Sequence, residues 1–212
     1  MGRFVVLEGP DGSGKSTQMR LLAQSLQRSG VEPVTTREPG GTQTGDAIRD
    51  LMFGPSALPM TPLTQLFLMN AARTELVREV IRPALSQDRL VLSDRYWYSS
   101  LAYQSAGDGV DPDVTRSVCR LATDGLEPDL VLLFDMNPED ALTRKANQAL
   151  NVLDRRPSDF HARARLAYLQ MARQEPDRWL AIDASLPINQ VAEQVLETVQ
   201  RLIGAPVTEV GV

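Results

Sequence analysis

The sequence has few of the residues on which several classes of protein depend. A single cysteine, Cys119, excludes an internal disulfide and fits a reducing compartment, so we expect a cytoplasmic protein. A single histidine, His161, leaves no partner for a histidine-based metal site or catalytic triad. The net charge of −5 provides no global basic field, so we expect neither nucleic acid nor a membrane as a partner. The apolar run 4–7 is too short for a signal peptide or a membrane span, and no later run is long enough.

Short apolar runs alternate with helical patterns, which is typical of a parallel sheet covered by helices on both faces. The runs predict strands over residues 3–7, 33–36, 89–93, 129–135 and 179–183. The helical patterns cover residues 15–28, 43–52, 62–85, 112–124, 138–147, 158–174 and 187–203. Pro83 is expected to kink or shorten the third helix. The length of 212 residues suits one domain, which we predict over 1–204, with a frayed tail over 205–212.

The most specific local pattern is GPDGSGKS over residues 9–16, which matches the phosphate-binding motif G-x-x-x-x-G-K-[ST]. It lies between an apolar strand pattern and a helical one, where loop N–H groups and the helix dipole can cradle a polyphosphate. We expect Lys15 to reach the outer phosphates of a nucleoside triphosphate and Ser16 to bind Mg²⁺. The predicted triphosphate-binding residues are Gly9, Pro10, Asp11, Gly12, Ser13, Gly14, Lys15, Ser16 and Thr17.

Charged residues follow the second and third predicted strands, where ligands of parallel sheets bind. In the segment 36–42, TREPGGT, two glycines allow close approach of a ligand and Arg37 can grip a phosphate; the alternative is a surface turn with a solvated Arg37–Glu38 pair. Asp94 can hold Mg²⁺ directly or through water, and Arg95 can bind a phosphate. For this second segment the alternative is an ordinary turn that ends the strand.

Two side chains further along the chain suggest recognition of a base. Arg73 shares a helical face with Leu66, Asn70 and Val77, so it points inward and needs an anionic or planar partner. That partner is either a structural carboxylate or a ligand. The amide of Gln104 offers one donor and one acceptor, which could read a pyrimidine edge.

Together these segments resemble the thymidylate kinase family, which phosphorylates dTMP at the expense of ATP. The resemblance covers nearly the whole chain and rests on residues 9–17, 37–42, 71–73, 94–96 and 99–104, in this order. It implies an α/β fold of the P-loop nucleoside-monophosphate-kinase type, a five-stranded parallel sheet with helices on both faces and a short lid at about 145–157. It also implies a homodimer, for which the helices 62–85 and 112–124 are candidate interfaces.

The resemblance assigns most of the acceptor site residue by residue. It implies that three arginines clamp the phosphate of dTMP: Arg37, Arg49 and Arg95. Arg73 and Gln104 are similar to the pair that reads thymine in this family. Tyr103 resembles the ring that packs beside the deoxyribose and crowds out a 2′-hydroxyl. The other residues predicted to bind substrate are Glu38, Met69, Ser99 and Ser100.

The resemblance also assigns the groups around the phosphates. Asp11 is similar to a carboxylate that contacts the sugar 3′-hydroxyl or the phosphate–magnesium assembly, and Arg144 to an arginine laid against the adenine. Ser16 and Asp94 are the predicted metal ligands. The predicted catalytic residues are Asp11, Lys15, Asp94, Arg95 and Arg155.

The chain departs from the usual pattern at Met69 and in the lid, where Ala146 and Gln148 stand in place of the family's further arginines and no glutamate follows Arg155 and Arg156. Met69 stands where the family usually has a phenylalanine stacked on the thymine. Gly12 resembles the bacterial class whose P-loop lacks an arginine, so the lid should supply a cation for the transferring phosphoryl group. Arg155 and Arg156 are the candidates, and Arg155 is placed first because Asp154 precedes it as in the family.

The predicted reaction is MgATP + dTMP → ADP + dTDP by direct in-line transfer, with no covalent nucleophile. Two alternatives remain. One is a kinase for another pyrimidine nucleoside monophosphate. The other is a P-loop ATPase switch with no small acceptor, although a switch has no need of a second arginine cluster.

Overall fold

Five short apolar segments form the central sheet of the structure, a computed structural model that describes residues 2–145 and 155–204. The strands are β1 (Arg3–Glu8), β2 (Val34–Arg37), β3 (Leu90–Asp94), β4 (Leu130–Asp135) and β5 (Trp179–Asp183). They pair in parallel in the order β2-β3-β1-β4-β5. The predicted parallel sheet is confirmed, and no strand end differs from its predicted position by more than one residue.

The order of the strands determines where ligands can bind. β2 and β3 lie on one side of β1, whereas β4 and β5 lie on the other, so the direction of the connections reverses at β1. In open parallel sheets, ligands occupy the crevice outside the carboxyl ends of the strands at such a reversal. The loop after β1 is the glycine-rich segment, and the register that pairs Leu7 of β1 with Asp94 of β3 places Asp94 beside it.

Helices cover the connections between the strands. Their bounds are α1 (Lys15–Arg28), α2 (Gln43–Phe53), α3 (Pro62–Leu76), α4 (Arg82–Ser86), α5 (Tyr98–Ser100), α6 (Pro112–Thr123), α7 (Pro138–Lys145), α8 (Ser158–Gln174) and α9 (Ile188–Ile203). Threonine side chains cap two of them, because the Thr42 hydroxyl accepts from the Gly45 N–H and the Thr61 hydroxyl accepts from the Thr64 N–H. α1 and α8 have the predicted bounds.

Two apolar layers cover the two faces of the sheet. On one face, Val5 and Leu7 of β1 pack with residues of α1 and α9, such as Leu26 and Val195. On the other face, Phe4 and Val6 pack with residues of α3 and α8. The central strands are buried on both faces, which explains their continuous apolar runs.

The helix expected over 62–85 contains a segment with a wider turn. α3 continues into the π-helical segment Val77–Ile81, where the Arg82 N–H donates to the Val77 carbonyl, and then into α4. Pro83 follows immediately. A proline lacks an N–H and crowds the preceding turn, and a wider turn is one way to accommodate it without ending the helix. The expected disturbance at Pro83 is therefore found as a π-helical segment just before it.

A helix at the centre of the fold is absent from the sequence prediction. α5 continues into the π-helical segment Leu101–Gly107, and we call the two together the buried helix 98–107. Its residues from Tyr98 to Gln104 are all buried, including the polar Ser99, Ser100 and Gln104, so this stretch has no solvent-exposed face and lacks the alternation of exposed polar and buried apolar residues that marks a surface helix. The pattern that reveals the other helices is missing here.

Parts of the sequence prediction fall outside the described residues. Of the predicted lid at 145–157, the residues 146–154 lie outside, and of Lys145 only the backbone is described. The predicted tail 205–212 also lies outside. Within the ranges 2–145 and 155–204, no helix is both long enough and apolar enough to cross a membrane.

Candidate active site

The loop between β1 and α1 has a backbone that only glycine can follow. Gly9, Gly12 and Gly14 have φ values of +136°, +85° and +91°. A Cβ atom on Gly9 would lie 2.5 Å from the Phe134 carbonyl oxygen, and one on Gly12 would collide with the Ala141 carbonyl. The loop is therefore pressed against β4 and α7 while it leads into the N-terminus of α1, which favours an anion.

Lys15 lies at the start of α1, with its side chain folded back over the loop. Its ammonium group donates hydrogen bonds to the carbonyl oxygens of Gly9 (3.0 Å) and Pro10 (2.8 Å). Burial, and then the nearby positive charge of Arg95, lower the pKa of Lys15 to about 8. A cation in this position gains more from a bound polyphosphate than an exposed lysine would, because it has already lost much of its hydration.

Ser16 and Asp94 meet at the end of β3. The Ser16 hydroxyl donates a 2.7 Å hydrogen bond to Oδ2 of Asp94. The described residues contain no cluster of three or more histidine, cysteine or acidic side chains that could hold a metal by themselves. One hydroxyl and one carboxylate nevertheless fit Mg²⁺, which commonly takes one or two carboxylates together with waters and substrate phosphates. The two predicted metal ligands are thus brought together.

Arg95 connects the end of β3 to the glycine-rich loop. Its guanidinium donates to Oδ1 of Asp11 (2.5 Å), to the Ser99 hydroxyl (3.0 Å) and to the Tyr168 hydroxyl (3.3 Å). The residue has a φ of +77°, a left-handed conformation that is uncommon for a residue other than glycine. Such conformations persist where the surrounding structure enforces them, often at functional sites.

A buried carboxylate at the end of β1 organises this region. Glu8 accepts hydrogen bonds from the Tyr96 N–H (2.9 Å), the Ser99 hydroxyl (2.7 Å) and the Tyr168 hydroxyl (2.8 Å). Its Oε2 lies 3.8 Å from Nη1 of Arg95. Burial raises the pKa of Glu8, whereas Arg95 and the hydrogen bonds lower it. Glu8 therefore holds the turn that carries Arg95.

Arg73 forms a second buried ion pair. Its Nε donates to both carboxylate oxygens of Glu38 (3.1 and 2.9 Å), and its Nη2 lies 2.7 Å from Oε2. The other guanidinium N–H groups bond to Asn70, Ser100 and the Tyr96 carbonyl. In this structure the partner of Arg73 is therefore a structural carboxylate, and its contact with a ligand stays a prediction. The alternative of a solvated Arg37–Glu38 pair is wrong, because Glu38 is buried.

A cleft of about 980 Å³ brings most of the predicted charged residues together. Its lining includes the predicted site residues Asp11, Gly12, Ser13, Gly14, Lys15, Ser16, Thr17, Arg37, Glu38, Arg49, Asp94, Arg95 and Arg144. Burial and the proximity of Arg37 lower the pKa of Arg49. Arginines that disfavour one another's charge in a cleft form a site for an anion.

Arg144 connects α7 to the loop after β5, at the other end of the cleft. Its guanidinium donates to the carbonyl oxygens of Ala184 (2.8 Å) and Ser185 (3.4 Å). The cleft is also lined by Leu186 of this loop and by Ile188 at the start of α9, and both side chains are exposed. An apolar surface beside a planar guanidinium suits an aromatic base.

The family match accounts for this arrangement. The family model for thymidylate kinase matches residues 7–195. A thymidylate kinase from an Exiguobacterium species is 43% identical over 95% of this chain and 96% of the relative. The chain belongs to the thymidylate kinase family. The Roseiflexus castenholzii thymidylate kinase is 42% identical over 94% of this chain and 93% of the relative.

A solved structure agrees with these relatives. The crystal structure of thymidylate kinase from Ehrlichia chaffeensis superposes with a TM-score of 0.76 and 31% identity, covering 94% of this chain and 98% of that one. The expected family and the expected nucleoside-monophosphate-kinase fold are confirmed. The chain is therefore a nucleotide kinase of the thymidylate kinase family.

Several predicted residues lie outside the cleft lining. Met69, Tyr103 and Gln104 are buried, with exposed fractions of 6%, 6% and 2%. Ser99 and Ser100 are buried and bond to Glu8 and Arg73. Arg73 has no free donor in this structure, so it supports the site through Glu38, and direct reading of thymine by Arg73 stays a prediction. Likewise Gly9 and Pro10 contribute the carbonyl groups that hold Lys15.

The two arginines assigned to the lid differ in their surroundings. Arg155 is exposed in the turn before α8. Arg156 is partly buried and pairs with Asp108, with Nη2 2.9 Å from Oδ2. The prediction that Arg155 rather than Arg156 acts on the phosphates is consistent with this difference and stays a prediction.

Sequence reasoning missed two residues of the network. Glu8 interrupts an apolar strand immediately before the motif, and an acidic residue in such a run was an available signal. Tyr168 lies on α8, and its hydroxyl reaches Glu8, Ser99 and Arg95. No local pattern marks it, because its position depends on how α8 packs on the sheet.

We expect triphosphate binding to be coupled to the protonation of Lys15. The pKa of this residue is about 8 in the protein without ligand, and a bound polyphosphate stabilises the charged form and raises the pKa. Binding of MgATP should therefore take up little proton at about pH 6.5 and approach one proton at about pH 9. Calorimetry in buffers of different ionisation enthalpy measures this uptake.

Lys15→Arg is the matched control for this measurement, because an arginine stays charged throughout the range. Its proton uptake should not rise with pH. Equal uptake by the wild type and Lys15→Arg at about pH 9 would show that another group titrates.

Proposed function

We propose that the protein transfers the γ-phosphoryl group of MgATP to dTMP and releases ADP and dTDP. The observation that carries the proposal is the presence of two anion sites in one cleft. The glycine-rich loop and Lys15 form the first, and Arg37, Arg49 and Arg95 form the second. A phosphoryl donor and a phosphorylated acceptor need such a pair of sites, whereas a nucleotide switch needs only one.

The donor site fits a magnesium–nucleotide complex. Ser16 and Asp94 would hold Mg²⁺ through one hydroxyl and one carboxylate oxygen. The metal, when bound, neutralises charge on the phosphates. Lys15, folded over the glycine-rich loop, would bind the outer phosphates of ATP. Arg144 would lie beside the adenine ring. Transfer then depends on positioning and on electrostatic stabilisation, since no side chain needs to form a covalent intermediate.

The acceptor site orients the phosphate of dTMP. Asp11 and Glu8 flank the guanidinium of Arg95, so this cation is fixed before substrate arrives. A preorganised cation does not have to be reoriented during the reaction. Arg37 and Arg49 complete the clamp from β2 and α2. Tyr103, whose ring centre lies 5.2 Å from the Arg95 guanidinium carbon, is proposed to pack against the sugar.

Gln104 is the group best suited to select a pyrimidine. Its Oε1 is buried and has no hydrogen-bond partner among the described residues. A buried acceptor without a partner is costly, and an N–H group of a bound base can satisfy it. The N3–H of thymine is such a donor. Met69 is proposed to pack on the base through its polarisable thioether.

The assay that tests the proposal mixes the protein with MgATP and each common nucleoside monophosphate and follows ADP. We expect rapid formation of ADP only with dTMP and close pyrimidine analogues. ADP formation that does not depend on a monophosphate would indicate an ATPase switch. A preference for another pyrimidine monophosphate would assign the same chemistry to a different acceptor.

We expect Gln104→Ala to weaken the binding of dTMP by roughly 1–3 kcal/mol, because the substitution leaves a polar group of the base unpaired. The affinity for ATP should stay close to that of the wild type. Calorimetric titration with each nucleotide checks both values. Gln65→Ala is the control, since Gln65 of α3 is also a buried glutamine, but its amide donates to the Met60 carbonyl. Equal losses for dTMP and ATP would show that Gln104 is structural.

We expect Arg155→Ala to lower kcat and kcat/KM together, by on the order of a hundredfold or more, because the contact is made mainly in the transition state. Arg156→Ala should lower kcat much less. Single-turnover kinetics at saturating nucleotides measure the step directly. If the two single variants and the double variant keep the wild-type kcat, neither arginine acts on the transferring phosphoryl group. Its charge would then be neutralised by Lys15, Arg95 and Mg²⁺ alone.

We further propose a homodimer formed through α3 and α6, acting in the cytoplasm and without a nucleic-acid partner. The two helices pack against each other and carry large exposed apolar side chains: Leu63, Phe67, Val114 and Leu121. Exposed apolar residues on neighbouring helices favour burial against a second copy.

We expect Phe67→Asp to convert the dimer into a monomer, because it places a charge in an apolar interface. Light scattering coupled to size-exclusion chromatography measures the mass. Leu166→Asp is the control, since Leu166 is similarly exposed, at 52% against 54%, but lies on α8. A wild-type monomer, or a dimer that survives Phe67→Asp, would contradict this interface.

A further inference from the structure

Two arginines near the start of α8 hold the turn that ends the buried helix 98–107. Nη2 of Arg156 lies 2.9 Å from Oδ2 of Asp108, whose side chain is only 8% exposed. Arg163 donates to the carbonyl oxygens of Ala106 (3.0 Å) and Gly107 (2.7 Å). These carbonyls lie at a helix end, where intrahelical partners run out, so Arg163 supplies donors that they need.

The ion pair is continuous with the acceptor site through packed rings. The Arg156 guanidinium carbon lies 5.5 Å from the centre of the Phe160 ring, which in turn stacks on Tyr103 at 5.9 Å. Phe160 also fills the space beside Gly107, where a Cβ atom would collide with the ring. The Tyr103 hydroxyl lies 3.4 Å from Nη2 of Arg95.

Because Asp108 is largely buried, the local structure depends on its ion pair with Arg156. Burial raises the pKa of Asp108, whereas the charges of Arg156 and Arg163 lower it. Removing Arg156 leaves a largely buried carboxylate without its main partner, and such a group reorients toward water or disturbs its surroundings. The turn that carries it also carries Gly107, so a movement here reaches Phe160 and Tyr103 directly.

We propose that the Asp108–Arg156 ion pair is a clamp that positions Tyr103 and Arg95 for the acceptor nucleotide, and that Arg156 is a positioning residue. The inference rests on the proposed function, because it assigns the acceptor site to dTMP. It gives the two neighbouring arginines different tasks. Arg155 is exposed, whereas Arg156 is held against Asp108 and Phe160 and acts through the side chains that they support.

If the clamp exists, breaking it should weaken the binding of dTMP and change the rate of phosphoryl transfer much less. Arg156→Ala and Asp108→Ala should each raise the KM and the Kd for dTMP by on the order of tenfold, which corresponds to about 1.4 kcal/mol. The KM for ATP and kcat at saturation should change by less than about threefold. Arg156→Lys, which keeps the charge, should recover part of the loss.

A double-mutant cycle decides whether the two residues act as one unit. The double variant Asp108→Ala/Arg156→Ala should bind dTMP about as well as each single variant, because the second change removes nothing further. Two independent contributions would multiply instead. Arg165→Ala is the matched control, since Arg165 lies on α8, whereas Arg156 lies in the turn just before that helix, and it has a similar side-chain exposure, 34% against 33%, but pairs with Asp135 instead.

Three results would overturn the clamp: multiplying losses in the cycle, a loss in kcat without a change in dTMP affinity, or an equal loss in Arg165→Ala. Calorimetric dTMP binding and thermal unfolding of each variant separate positioning from general destabilisation. Failure of the proposed function is distinguishable, because the wild-type protein itself would then not bind dTMP. If Asp108→Ala does not fold, Asp108→Asn completes the cycle with less change in volume.

Discussion

The carboxylate of Glu8 is the group on which the site depends, because it fastens the end of β1 to the turn after β3. It accepts hydrogen bonds from the Tyr96 N–H, from Ser99 and from Tyr168 of α8, and it faces Arg95. A buried carboxylate is stable only when its oxygens accept hydrogen bonds. Moving any one of these donors away would therefore leave a buried oxygen without a partner, at a cost in free energy. Arg95, whose backbone is left-handed, directly precedes Tyr96, whose N–H is one of these donors. Glu8 thus fixes the acceptor-side cation relative to the glycine-rich loop.

Cations are crowded in the cleft before any phosphate arrives. Burial and Arg95 lower the pKa of Lys15, and burial and Arg37 lower that of Arg49. Each of these cations is therefore destabilised in the absence of anions and gains when a phosphate enters. This arrangement suits a kinase, which brings two polyanionic substrates together. The positive charges that repel one another in the cleft are the ones that stabilise the negative charge of the transferring phosphoryl group. Buried carboxylates at Glu8 and Glu38 keep the neighbouring arginines ordered without neutralising the whole site.

Sequence patterns predicted most of the fold, and the failures have physical causes. The central strands were found as short continuous apolar runs, because they are buried on both faces. The amphipathic helices were found because a buried face beside an exposed one produces a period that can be read along the chain. The buried helix 98–107 has no exposed face from Tyr98 to Gln104, so it produces no such period. Pro83 indicated a disturbance in the third helix but not its form, a π-helical segment over Val77–Ile81. The form depends on how the helix continues to pack on the sheet after the proline.

By itself, the sequence determined the parallel sheet, the phosphate loop and the family, because these depend on local backbone requirements and on motifs of fixed spacing. It also placed Ser16, Asp94 and the arginines at strand ends, where parallel topology brings them together. Only the tertiary structure decided which charges pair. Arg73 could have faced a ligand, and its partner is Glu38, which is 35 residues away along the chain. Arg156 could have faced the phosphates, and it pairs with Asp108. Which charged residues pair depends on how distant elements pack and on the cost of leaving a buried charge unpaired. A local sequence pattern shows neither.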